Sequence, residues 1–258
     1  MDITSISVSR YQTFEQCAQL YKYKYHLKTP SPEQEPFYFV YGKIVHKIAE
    51  LYVDSKGEKK LGDICGDILS GKIPVDVSKD GKEVIAPPLP AEYKKRVPLH
   101  LRSIQKLTDQ IGFEGKTEWE FKYDLEAPTN RCVNGVIDRL VQKGDKFFIL
   151  DYKTTKPGNF RKNRATISED IQLKTYAKVV QRTFGAKAEN IKGALYYLED
   201  AVLVSTGFTQ DGLDKVEADL LEKYKVIELL PPEKVWGTSG WWCKRCDYHT
   251  LCPFYNKH

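Results

Sequence analysis

One stretch constrains this chain more than any other: Asn134 to Lys153, NGVIDRLVQKGDKFFILDYK. Gly144-Asp145 sits between two apolar runs, which is the signature of a two-residue hairpin loop. With that loop, Lys143 pairs with Lys146, and counting outward sets Asp138 opposite Asp151. Directly opposed residues lie roughly 4.5–5.5 Å apart at Cβ on one face of a sheet. Two carboxylates so placed repel each other unless a cation lies between them. Alternation along the strand brings Lys153 to the face of Asp151. Oxygen donors in this arrangement suit a hard divalent ion such as Mg²⁺ or Mn²⁺, and the lysine is placed to orient a water or stabilise charge on a phosphate. A D-x-K on an exposed hairpin is usually a solvated ornament. Here Asp151 follows FFIL, apolar enough for a buried strand, which favours a functional carboxylate.

The flanking sequence reads as a mixed α/β chain. Ser9 and Gln12 form a capping box ahead of a helix over 10–25, and a second helix over 36–52 carries His46. Residues 54–90 form an irregular insertion with a short helix at 63–69, followed by a third helix over 91–111 bent at Pro98. A strand over 117–125 precedes the hairpin, with Glu118 and Glu120 on one face. The basic loop 154–164 holds Lys156, Arg161, Lys162 and Arg164 beside the D-x-K, where it could grip phosphates. Ser168 caps a helix ending at Gly185. Strands over 191–198 and 202–208 and an amphipathic helix over 211–229 complete the pattern.

Three segments carry a resemblance to a known family: G-V-I-D at 135–138, I-L-D-Y-K-T at 149–154 and Q-L-K-T-Y at 172–176. They resemble the motifs of the PD-(D/E)XK nuclease superfamily, in particular its RecB-like exonuclease branch. The resemblance implies a restriction-endonuclease-like core, αβββαβ, with a mixed central sheet flanked by helices. It implies metal ligation by Asp138 and Asp151, a catalytic Lys153, and Gln172 and Tyr176 leaning over the site toward substrate. Gly42 to His46 resembles the G-x-x-x-H segment of that branch, which implies His46 as a further metal ligand, although a lone histidine on a half-apolar helix is ordinarily structural. The implied activity is a divalent-metal-dependent deoxyribonuclease, exonuclease rather than endonuclease, acting on single-stranded or free DNA ends in recombination, replication, repair or CRISPR adaptation. The alternative is a nucleic-acid-binding component of such a complex with little nuclease activity, partnered with a helicase, recombination or CRISPR-adaptation protein. No G-x-x-x-x-G-K-[ST] segment is present, so this chain carries no P-loop motor of its own.

The six cysteines fall at 17, 65, 132, 243, 246 and 252. The C-terminal group, C-x2-C-x5-C, is one thiolate short of a tetrahedral set. The F-E-Q-C setting of Cys17 resembles the N-terminal cysteine of iron-sulfur nucleases in this superfamily. That implies a 4Fe-4S cluster on Cys17, Cys243, Cys246 and Cys252. The same four ligands would serve Zn²⁺, and the spacing does not choose between them. The corresponding domain reading is a cluster clamp of 1–30 with 231–258, a helical region over 31–112 and a nuclease core over 113–230. A net charge of +5 permits a nucleic-acid partner without requiring one. With no apolar stretch near ~20 residues and no signal-peptide pattern, the expectation is a cytoplasmic protein, in the host cytoplasm if it is viral, with no membrane partner.

Overall fold

The computed structural model describes every residue except 2, 4, 33, 34, 79, 128, 159, 160 and 256–258. Seven α-helices are described: α1 Val8–Gln16, α2 Ala18–Tyr21, α3 Phe37–Asp54, α4 Leu61–Leu69, α5 Ala91–Ile111, α6 Ile171–Phe184 and α7 Gln210–Leu229. The strands are β1 Asp76–Val77, β2 Glu83–Val84, β3 Lys116–Glu126, β4 Arg131–Lys143, β5 Lys146–Lys153, β6 Ile191–Tyr197 and β7 Val202–Gly207. β1 and β2 make a small hairpin, and the other five form one mixed sheet in the order β3-β4-β5-β6-β7. The β4–β5 and β6–β7 pairs are antiparallel, whereas β5 and β6 run parallel through the crossover helix α6. The chain order α5-β3-β4-β5-α6-β6 is the αβββαβ arrangement that the resemblance implies. Among the described residues no helix is long and apolar enough to cross a membrane.

The chain divides into two compact units. One comprises residues 36–119 and 136–210. Its core joins the inner face of α3 (Tyr41, Ile44, Val45, Ile48, Ala49) to Ile64 and Ile68 of α4, Ile104 and Leu107 of α5, and Leu150, Tyr152, Ala194 and Tyr196 of the sheet. These helices show apolar residues at i, i+3, i+4 and i+7, so burying that stripe removes most of their apolar surface from water. Cys65 lies in this core as a packed thiol. Pro98 is accommodated inside α5, which runs through it without ending.

Arg139 of β4 is completely buried. Its Nη2 donates to the carbonyls of Gly112 at 2.6 Å and Glu114 at 2.9 Å, just past the C-terminus of α5. A cation here satisfies the C-cap carbonyl and one in the segment after it, and opposes the negative end of the helix dipole. The interaction ties α5 to the strand that carries Asp138.

The other unit comprises residues 1–35, 120–135 and 211–258. The first helix of the chain is not continuous over 10–25. Its cap is Ser7, whose hydroxyl accepts from the Arg10 N–H, in place of the Ser9 capping box. It stops at Cys17, which is extended at φ −167°, and resumes as α2 and a π-helical turn over Lys22–His26. The C-terminal tail packs on this segment. Gln19 N–H donates to the Trp236 carbonyl at 3.0 Å, Tyr23 stacks on Tyr248 at 5.1 Å, and Lys24 pairs with Asp247 at 3.2 Å.

Replacing Arg139 by Met keeps the volume but strands two carbonyls, each of which costs on the order of 1–3 kcal/mol if left unpaired. Urea unfolding of Arg139→Met is expected to show a loss of about 2–5 kcal/mol with an unchanged m-value.

Candidate active site

The hairpin has the register that Gly144-Asp145 dictates, from Lys143 opposite Lys146 to Arg139 opposite Leu150. The β4–β5 ladder stops one pair short of Asp138 and Asp151. There the Asp138 carboxylate folds back onto its neighbour strand, its Oδ2 accepting the Tyr152 N–H at 2.6 Å. Asp138 Oδ1 lies 3.4 Å from Nδ1 of His46, in the middle of α3. Asp151, only 2% exposed, places Oδ2 2.6 Å from the Lys153 ammonium. Lys153 Nζ in turn donates to Gln172 Oε1 at 3.0 Å, and Gln172 Nε2 donates to the Tyr176 hydroxyl at 2.8 Å. His46, Asp138, Asp151, Lys153, Gln172 and Tyr176 therefore line up around one site, supplied by one helix, the two hairpin strands and α6.

A seventh group completes it. Glu118 of β3 brings a carboxylate oxygen to within 4.8 Å of the His46 and Asp138 ligand atoms, making a histidine–glutamate–aspartate set of half-buried donors. Glu118 has φ +41°, in the left-handed region, where a non-glycine residue is strained. The two glutamates do not behave alike, since Glu120 is exposed on the strand. The sequence carried one signal for this residue, an acid on the strand preceding the hairpin. Regular alternation hid which of the two acids turned inward.

The electrostatics follow from three acids sharing a poorly solvated space. Burial and the neighbouring Asp138 push Glu118 up to about 7. Burial also raises Asp151, to about 6, against the Lys153 charge that favours its ionised form, while Asp138 adds to the rise. Asp138 is the acid that stays low, because the His46 charge and contact and the Tyr152 N–H outweigh its burial. For His46, burial disfavours the imidazolium, but the Asp138 charge and contact prevail, with Asp151 and Glu118 behind them, and hold it at about 9. In the protein alone, a proton on His46 neutralises charge that a divalent cation would otherwise neutralise. The donor set fits such an ion: an imidazole nitrogen and carboxylate oxygens converge, and the acids carry more negative charge than their buried setting tolerates.

The basic loop beside the site differs from its sequence reading. Lys156 pairs with Glu92 at 2.7 Å, and the Arg161 guanidinium turns inward onto Asp200 at 2.7 Å. Arg164 remains exposed, Lys162 is half-buried, and Asn159 and Phe160 of this loop lie outside the described residues. The following helix is capped by Asp170, whose Oδ1 accepts the Leu173 N–H at 3.0 Å, and Ser168 lies in a short 3-10 turn before it.

In the other unit, Cys17, Cys243, Cys246 and Cys252 line one pocket together with Tyr23, Trp242 and Tyr248. The break at Cys17 leaves its sulfur to accept the Thr238 N–H at 3.5 Å, and Cys243 Sγ accepts the Gly240 N–H at 3.4 Å. His249 lines the same cavity, its Nδ1 2.9 Å from the Cys246 carbonyl. Cys132 is buried in β4, 3.0 Å from the Asn130 carbonyl.

Comparison with known families decides the assignment: the model of the PD-(D/E)XK nuclease superfamily matches residues 5–253. The chain belongs to that superfamily. No curated protein matches it. Among solved structures, the "Putative exonuclease" of Eubacterium rectale is similar at 15% identity, with a TM-score of 0.52 over 95% of this chain and 88% of that one. That likeness shows a shared fold. SSO0001 is similar at 15% identity with a TM-score of 0.49, covering 100% of this chain and 90% of the other. Superfamily membership makes the chain a nuclease-fold protein with a DNA substrate class and divalent-metal chemistry, and the His46–Glu118–Asp138 set is where such an ion finds donors.

A metal must displace the proton from His46, and below neutrality also the one on Glu118. Mn²⁺ affinity measured by calorimetry is therefore expected to rise with pH, roughly tenfold per unit between pH 7 and 9 and more steeply below 7. The rise should level off above about pH 9, and His46→Ala should lose the slope between 7 and 9.

Proposed function

We propose that this protein is a divalent-metal-dependent exodeoxyribonuclease that hydrolyses phosphodiester bonds at single-stranded or free DNA ends. The observation that carries the reading is the gathering of donor atoms of His46, Glu118 and Asp138 within 4.8 Å of one another, with Asp151 of the neighbouring strand held against Lys153. Bound Mg²⁺ or Mn²⁺ would polarise the scissile phosphate and acidify a water.

The chain's own groups define the rest. His46, Asp138, Asp151 and Glu118 are the metal donors. The Lys153 ammonium, kept charged because the Asp151 carboxylate outweighs its burial, orients the attacking water and offsets charge on the phosphate. Gln172 holds that ammonium through its Oε1 and is itself held by Tyr176, so the α6 pair fixes the direction of Nζ and faces the substrate. Arg164 and Lys162 supply phosphate contacts. The biological setting in this reading is recombination, replication, repair or CRISPR adaptation, with a helicase or adaptation protein as partner, in the cytoplasm.

We further propose that Cys17, Cys243, Cys246 and Cys252 hold a 4Fe-4S cluster, the clamp of residues 1–30 with 231–258 beside a helical region over 31–112 and a nuclease core over 113–230. The four cysteines line one aromatic-lined pocket, and two of their sulfurs accept backbone N–H groups, as metal-bound thiolates do. The choice of a cluster over zinc follows the F-E-Q-C resemblance, since the same four ligands would serve Zn²⁺.

On end-labelled single-stranded DNA with Mg²⁺ or Mn²⁺, the protein is expected to release nucleotides from the ends, and EDTA should stop it. Asp151→Asn should lower kcat at least about 10³-fold. Full activity of Asp151→Asn, or cleavage confined to internal bonds, would refute the exonuclease. Protein purified without oxygen is expected to be brown, with a broad absorption band that Cys243→Ser abolishes. Colourless protein carrying one zinc per chain would reassign the cysteines.

A further inference from the structure

The D-x-K strand has to end where its lysine begins to work, and the structure shows what holds it there. Lys153, opposite Tyr197, is the last residue of β5 in register with β6. Among the described residues the sheet offers no partner for the next two carbonyls. An arginine takes each of them. Arg96 of α5 donates from Nη2 to the Thr154 carbonyl at 2.5 Å, and Arg161 donates from Nε at 2.9 Å and from Nη2 at 2.5 Å to the Thr155 carbonyl.

Each arginine is in turn fixed by one of two consecutive acids in the β6–β7 turn. Arg96 meets Glu199 Oε2 through Nε at 2.8 Å and Nη2 at 2.7 Å. Arg161 Nη1 meets both oxygens of Asp200, at 2.7 and 2.8 Å, and the guanidinium lies 4.4 Å from the centre of the Tyr197 ring. Glu199 is itself positioned by a buried histidine, His100 Nε2 at 3.0 Å, whose Nδ1 lies 3.0 Å from the Tyr41 hydroxyl. Arg96, Arg161 and His100 thus belong to one frame built on the turn after β6. Only a guanidinium has enough donors in one plane to hold a carboxylate and a carbonyl together.

We propose that Arg96 and Arg161 are positioning residues for the nuclease reaction: anchored by Glu199 and Asp200, they grip the Thr154 and Thr155 carbonyls and so fix where the Lys153 ammonium stands. The inference rests on the reading of Lys153 as a working residue. It adds a set of groups that touch neither metal nor substrate. A misplacement of about 1 Å in such a group is enough to cost ~10²-fold in rate.

The test uses the full chain with Mn²⁺ and single-stranded DNA. Arg161→Gln and Asp200→Asn lie near the surface; Arg96→Gln and Glu199→Gln probe the buried half. Each arginine variant is expected to lower kcat about 10–100-fold, leave KM for DNA and calorimetric Mn²⁺ affinity within about twofold of the wild type, and add little further loss in a Lys153→Met background. Independently of activity, hydrogen exchange at the Leu198 amide, which donates to the Lys153 carbonyl at 2.9 Å, should quicken in these variants while Ile149 is unchanged. Unaltered kcat and unaltered exchange in Arg161→Gln would overturn the clamp while leaving the nuclease standing, as would an equal fold-loss with and without Lys153. A wild-type protein inert on DNA with both metals would remove the nuclease reading and the positioning role with it.

Discussion

The constraint on which this structure turns is the mutual repulsion of three carboxylates in a space that water solvates poorly. Asp138, Asp151 and Glu118 come from three neighbouring strands, Glu118 within 4.8 Å of Asp138 and Asp151 close enough to feel the Asp138 charge. Left alone, such a cluster would be destabilising, because desolvated like charges gain nothing from proximity. The protein opposes them with His46 on one side and Lys153 on the other, each contacting one acid. The compensation is incomplete: two of the three acids are pushed toward their protonated forms while the third is kept ionised by its partners. A site in this condition favours any divalent cation that reaches it, and that preference is a property of the fold before any substrate arrives.

Holding that arrangement requires rigid supports that end abruptly. β5 is flanked by β4 on one edge and β6 on the other, so its backbone is satisfied from both sides through most of its length. The antiparallel ladder gives out at Leu150, and the side chain of Asp138 takes over by accepting the Tyr152 N–H. The same carboxylate therefore serves as the hydrogen-bond acceptor for β5 beyond the β4 ladder and as candidate ligand. Glu118 enters by a different route, a left-handed backbone kink that tips one acid out of the regular alternation of β3. Strain of this kind persists only where neighbouring structure over-determines the conformation. Here the tether is close by, for the Thr117 hydroxyl donates to Asp54 at 2.6 Å.

How much of this was readable beforehand depended on whether the determinant was local. The hairpin register followed from Gly144-Asp145 alone, because a two-residue loop leaves one way to count. The α6 pair came from the Q-L-K-T-Y resemblance, since i, i+4 polar spacing is commonplace, and its hydrogen bond is present. His46 was not legible from its own helix and came from the G-x-x-x-H resemblance. Alternation makes Glu118 equivalent to Glu120, and nothing local announces a positive φ at a glutamate. Helix caps slipped by two residues, to Ser7 and Asp170, wherever several capping residues stood in a row. Arg161 read as a free charge because the acid that captures it, Asp200, lies in a turn that becomes its neighbour only when β6 pairs with β5. The break at Cys17 is likewise tertiary: Tyr11, Phe14, Ala18 and Tyr21 keep helical spacing across it, while the Thr238 N–H and the Trp236 carbonyl engage that segment from the far end of the sequence.

The two candidate metal sites divide the available donors by hardness, and this bears on how both can be loaded in one cell. One unit gathers carboxylate oxygens and a single imidazole, while the four cysteines of the other gather around an aromatic cavity with no carboxylate among its lining residues. Affinity for first-row divalent ions rises along one order at almost any site, so selectivity has to come from donor type and geometry. Oxygen donors favour Mg²⁺ and Mn²⁺ over thiophilic ions, and thiolates discriminate in the opposite sense. Cys65 and Cys132, the thiols outside the cavity, are both buried, where burial raises their pKa and leaves little thiolate to compete for metal. On the proposed reading, partition of donors between the units would let a hard ion exchange at the carboxylate site without displacing a group bound by the thiolates.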